Sequence, residues 1–164
     1  MTPASGPGRI DSVAFAEFVA AEYRSTVELT WDYPHVGYAV ARFTPAGADK
    51  LLLNVTVEFE LREAEGPWYA SFKVQGIDVS AGVRAAFDIF NGVIQAIEEF
   101  LSVRQPGTMV IVSKDEQLGR IYQTYLRREA AAIEKLGYRV ELAEHIEPYT
   151  EFTLKRVKPS EWRE

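Results

Sequence analysis

The stretch that decides the fold runs from Gly107 to Tyr138, GTMVIVSKDEQLGRIYQTYLRREAAAIEKLGY. Its opening, Thr108 to Val112, is apolar without alternation, which suits a strand covered on both faces and therefore central in a sheet. Ser113 followed by Glu116 has the S-x-x-E spacing of a capping box, in which two side chains each satisfy a backbone N–H at a helix start. Leu118, Ile121, Tyr122, Tyr125, Ile133 and Leu136 then recur at helical spacing. Gly137 can take the left-handed conformation that ends a helix. A buried strand and one helix over 114–136 are expected.

Working outward, apolar residues at 83, 86, 87, 90, 93, 94, 97, 100 and 101 predict a second long helix over 81–102, with Ser80 as N-cap and Gln105-Pro106-Gly107 as its end. Gln95, Glu98 and Glu99 read as its solvated side. Ahead of it, 51–62 alternates cleanly, with Leu53, Val55, Val57, Phe59 and Leu61 on one face. A turn at Glu65-Gly66-Pro67 leads to a strand over 68–75, and 36–43 reads as another strand. Val27 to Trp31 reads as a short strand and about 12–24 as a helix. Beyond Gly137, strands are expected over 138–143 and 151–157, with a loop at 144–150. The fold class is α/β (α+β): a central mixed, mostly antiparallel sheet with two long helices. Composition predicts a disordered tail over 1–10, a single domain over 11–158 and a second tail over 159–164.

The chain has 164 residues, 47% of them apolar, enough for a core without a disulfide or metal to hold it. It contains no cysteine, which excludes a thiolate metal site or a thiol nucleophile and fits a reducing compartment. The start MTPASGPGR has no apolar signal core, and no apolar run approaches the roughly 18 residues that span a bilayer. The expected location is the cytoplasm. A net charge of −6 argues against a broad nucleic-acid surface. Two local basic groups remain, Arg120 with Arg127 and Arg128, and Lys155 with Arg156 and Lys158. The two histidines, His35 and His145, lack metal-ligand spacing, so no metal site is expected. Glu58 and Glu60 share a strand face that reads as solvated.

The order of elements from residue 36, and Ala130 to Tyr138 (AAAIEKLGY) at the helix end, resemble the GNAT-type N-acetyltransferases. The resemblance implies a GNAT-like topology, an acetyl-CoA or other acyl-CoA cofactor, and a pyrophosphate loop falling on Ser80, Ala81, Gly82 and Arg84. Here the family's glycine spacing is not kept, and Asp78 stands beside the implied anion site. The tyrosine that serves the family as general acid falls on Ile133, which leaves Tyr122 or Tyr125 as candidates for that role. A second resemblance, carried by Ser113-Lys114-Asp115, Arg120-Ile121-Tyr122, Arg127-Arg128 and Leu136-Gly137-Tyr138, is to small proteins encoded by bacteriophages, and it implies an accessory or structural role inside a bacterial host.

Trp31-Asp32-Tyr33-Pro34-His35 reads as an irregular segment in which aromatic, acidic and imidazole groups concentrate, a composition suited to recognition. Arg120, Gln123, Thr124 and Arg127 fall opposite the apolar stripe of their helix. The expectation is therefore a non-catalytic binding protein that meets a protein partner through Trp31, Asp32, Tyr33, His35, Arg120 and Arg127. The alternative is an acyl-CoA-dependent N-acyltransferase with an altered site.

Overall fold

A computed structural model of the chain describes residues 25–45, 54–75, 82–113, 116–141, 144–146 and 149–157, the side chains of 82–86, 116–118, 144–146 and 149 excepted. The expected helix over 12–24, both tails, Ser80 and Ala81 lie outside these residues.

Alternation builds the first half. Strands β1 (Thr30–His35), β2 (Tyr38–Phe43), β3 (Asn54–Leu61) and β4 (Trp68–Gln75) form an antiparallel meander. Val55, Val57 and Phe59 of β3 are sealed from solvent and stand level with Phe43, Ala41 and Ala39 on one side and Val74, Phe72 and Ala70 on the other. That row is one apolar face of the sheet. Helix α1 (Gly82–Arg104) covers it, stacking Phe100 on Phe59 at 4.2 Å and setting Phe90 edge-on to Phe72 at 5.5 Å. Gly92 permits the close approach: a Cβ there would lie 2.3 Å from the Phe43 ring.

The second half adds β5 (Thr108–Ser113), α2 (Glu116–Arg128), α3 (Ala130–Lys135), β6 (Tyr138–Val140), β7 (Glu144–Ile146) and β8 (Tyr149–Arg156). One eight-stranded sheet results, in the order β1-β2-β3-β4-β5-β8-β6, with β7 also on β8. β4 and β5 make its one parallel pair, joined by α1; every other described pairing is antiparallel. Within the span expected as a loop over 144–150, Glu144–Ile146 instead forms β7 and pairs antiparallel with β8, which starts at Tyr149. α2 packs on the same face as α1, through Tyr122 against Phe152 and Phe90.

Two expectations about helices are corrected. The helix over 114–136 is broken at Glu129, where φ −96° and ψ 9° depart from helical values, although Glu129 N–H still reaches Tyr125 O and Ile133 N–H still reaches Glu129 O. The break is a kink, and α1 is the one long helix described. The polar side of α1 is only partly solvated: Asp88 is buried and Gln95 half-buried, while Glu99 is exposed. Asp88, Gln95 and Glu99 share one stripe and clasp the segment before β1: Ser25 Oγ donates to Asp88 Oδ1 at 2.9 Å, Val27 exchanges two bonds with the Gln95 amide, and Trp31 Nε1 donates to Glu99 Oε1 at 2.8 Å. Gly137 takes φ +98°, the left-handed end expected of it.

Candidate functional site

The kink lies beside a surface cleft lined in part by Leu126, Arg127 and Ala130. Arg128 turns inward. Its Nε lies 2.7 Å from Glu129 Oε2, its Nη2 donates to Asn91 Oδ1 at 3.0 Å, and its guanidinium sits 4.6 Å from the centre of the Tyr125 ring. Asn91 in turn donates to Phe87 O at 2.8 Å, and the Tyr125 hydroxyl donates to the same carbonyl at 3.2 Å. This buried polar knot ties α2 to α1 and removes Arg128 from the basic surface group. With one residue per 100° of helix, fixing Arg128 inward turns Arg127 outward. Arg120, Gln123 and Arg127 are all exposed along the free stripe of α2, and no ion pair of Arg120 or Arg127 exists among the described residues.

Beside that stripe, α2, α3, β6 and β8 enclose a cleft of about 280 Å³ lined by Gln123, Leu126, Arg127, Ala130, Val140, Glu141 and Phe152. Leu126 and Phe152 are its buried floor. Arg127 stands on the helix rim and Glu141 on the strand rim. Thr124 Oγ1 donates back to Arg120 O, so it serves its own helix.

The Trp31–His35 segment is not irregular; it is most of edge strand β1, with a bulge between Asp32 and His35 at Pro34. Proline on an edge strand removes an N–H that would otherwise invite pairing. Trp31 is packed, stacked between Tyr33 at 6.0 Å and Phe59 at 5.7 Å. Asp32 faces Arg42 at 3.9 Å across the other side of the sheet. His35 stacks on Tyr38 at 5.1 Å. Tyr33 is 48% exposed and borders a recess of about 80 Å³ with Val103 and Arg104. β1 and the β8-β6 end are opposite ends of the sheet order, so Trp31, Asp32, Tyr33 and His35 do not join Arg120 and Arg127 in one patch.

The residues implied for acyl transfer fall as follows. Tyr122 is 1% exposed in an aromatic box of Phe72, Phe90 and Phe152, and its hydroxyl has no hydrogen-bond partner among the described residues. Burial drives its pKa far above the ordinary tyrosine value. Tyr125 holds Phe87 O, and Ile133 is core. Gly82 begins α1, and the Arg84 side chain lies outside the described residues. β4 and β5 pair only through Trp68–Met109, Tyr69–Val110 and Ala70–Ile111, then part; Val74 beyond that point is 42% exposed although it stands level with sealed Val55. Glu58 and Glu60 do not act as a carboxylate pair: Glu58 binds Lys73 at 3.2 Å and Glu60 binds Arg62 at 3.3 Å. Burial first, and the Glu58 carboxylate second, raise the Tyr38 hydroxyl above its usual range. No group of three metal-ligating side chains occurs among the described residues, and no described helix is long and apolar enough to cross a membrane.

Asn91 and Asp88 went unnoticed in the periodicity, and Gln95 and Glu99 read there only as a solvated side. Their signal was there: positions 88, 95 and 99 lie seven and eleven residues apart, one face of a helix. The chain was compared with protein-family models, with curated proteins and with solved structures, and it matches none of them.

Proposed function

We propose that this chain is a non-catalytic binding protein on a GNAT-like scaffold, an accessory protein of the bacteriophage-encoded kind, acting in the cytoplasm of a bacterial host. Its contact surface is the free stripe of α2, Arg120, Gln123 and Arg127, with the cleft beside it. The scaffold reading is supported by the strand order and by the single parallel pair that parts after Ala70 and Ile111. The observation that carries the binding role is the fate of the two tyrosines. Tyr122 is walled in by three phenylalanines and Tyr125 is committed to a backbone carbonyl, so neither presents a hydroxyl to a substrate. Meanwhile two exposed arginines have no ion pair among the described residues, on a protein of charge −6. Arginine is enriched where interfaces concentrate their energy.

The second reading is an acyl-CoA-dependent N-acyltransferase with an altered site. It is favoured by the parting of β4 from β5, which leaves the β4 edge from Ser71 without a partner in β5. Calorimetric titration with acetyl-CoA separates the two. The binding role predicts no saturable heat, and a micromolar dissociation constant would replace it with the second reading.

A further inference from the structure

Resting on the binding role proposed above, we infer that the partner is a protein segment that inserts one large apolar side chain into the α2–β8 cleft and sets a carboxylate against Arg127. The volume, about 280 Å³, is enough to admit one large side chain. The floor is apolar and closed by Leu126, Val140 and Phe152. An anchor entering there displaces water from buried hydrocarbon, the arrangement that concentrates binding energy at the centre of an interface.

Charge decides what flanks the anchor. The Arg127 guanidinium is exposed at the rim and has no ion-pair partner among the described residues, whereas Arg42, Arg62, Lys73 and Arg128 are each paired. A planar guanidinium donates two parallel N–H bonds to a carboxylate. Arg120 lies seven residues earlier on the same stripe, about 10 Å along the helix, and offers a second acidic residue a place. Glu141 lines the same cleft from the end of β6, where its N–H donates to Thr153 O at 2.8 Å. It repels an acid placed on that side and so fixes the segment's direction, with acid toward the helix. Repulsion of the wrong orientation is half of specificity. The same glutamate disfavours phosphate in the cleft.

The test is selection of a library of random linear peptides on the full chain. Recovered binders are expected to share a large apolar residue beside Asp or Glu. They should bind Ala130→Trp, which fills the mouth of the cleft from an exposed position, about tenfold or more weakly, a loss of about 1.4 kcal/mol. Arg127→Glu should weaken them comparably. Melting temperature checks that each variant folds. No enrichment, enrichment without the acid, or equal binding to Ala130→Trp overturns the inference. A partner lost with Arg120→Glu/Arg127→Glu but kept with Ala130→Trp overturns cleft insertion while leaving the binding role intact.

Discussion

Arg128 Nε and Glu129 Oε2 are 2.7 Å apart with both side chains at most 10% exposed, and this pair of chain neighbours sits at the kink between α2 and α3. Neither charge has bulk water to fall back on. Removing one partner of such a pair takes the opposite charge away from the other in a buried setting, which costs roughly 3–5 kcal/mol. Glu129→Ala should therefore lower stability in urea denaturation by about that amount. Arg127→Ala, one residue from the pair but exposed, should stay within about 0.5 kcal/mol. Equal effects at the two positions would remove the pair's role in setting the kink.

Gly92→Ala sets two terms against each other. Alanine in place of glycine favours a helix by about 1 kcal/mol, but the added carbon would meet Phe43 at 2.3 Å, and overpacking costs about 1–3 kcal/mol. A net fall in melting temperature is expected. Phe43→Leu should restore part of it in the double variant, since residues in contact couple. A rise in melting temperature with Gly92→Ala alone would show that α1 stands off β2.

Tyr122 and Tyr125 should respond oppositely to loss of the hydroxyl. The Tyr122 oxygen is buried without a hydrogen-bond partner among the described residues, a situation that costs about 1–3 kcal/mol, so Tyr122→Phe should hold or raise stability. Tyr125→Phe loses the bond to Phe87 O and should cost about 0.5–1.5 kcal/mol. Chemical denaturation of both variants reads the contrast. A clear loss with Tyr122→Phe would mean that its hydroxyl is bonded in solution.

Alkaline pH should destabilise the protein. Burial pushes the Tyr138 hydroxyl up to about 12, with Arg156 pulling the other way, and it donates to Pro106 O. An unfolded tyrosine titrates near 10. Between those values the unfolded chain has released the proton and the folded chain has kept it, so stability is full below about pH 10 and falls as pH rises toward 12. Tyr138→Phe should flatten the fall in denaturation midpoints across that window. Tyr122 and Tyr38 contribute with the same sign, so part of the slope should survive. An unchanged slope in the variant would show that Tyr138 is not the group responsible.

Periodic features were legible in the chain. The alternation of Val55, Val57 and Phe59, the apolar stripe from Phe87 to Leu101 and the unbroken run Met109–Val110–Ile111 each report burial through local spacing. Gly137 announced its left-handed turn because that conformation excludes most other residues. What local spacing could not carry was any feature decided by a distant partner. The buried knot beside the kink includes Asn91, 37 positions from Arg128. The clasp of Val27 by Gln95 spans 68 positions. Pro34 argued for a loop, yet a proline bulge is compatible with a strand whose outer edge needs no donor. The candidate site was half visible: Arg120 and Arg127 followed from the stripe, while the cleft needed β6 and β8 to be brought beneath them.

The most direct measurement of partner binding through α2 is capture from a bacterial lysate, run in parallel with wild type and with the Arg120→Glu/Arg127→Glu variant and read by mass spectrometry. Both substituted residues are exposed, so the variant should melt with wild type while its specific partner band falls at least about tenfold, the effect expected when interface arginines of hot-spot weight are reversed. An undiminished band in a variant of unchanged melting temperature would contradict the assignment of this face as the binding surface.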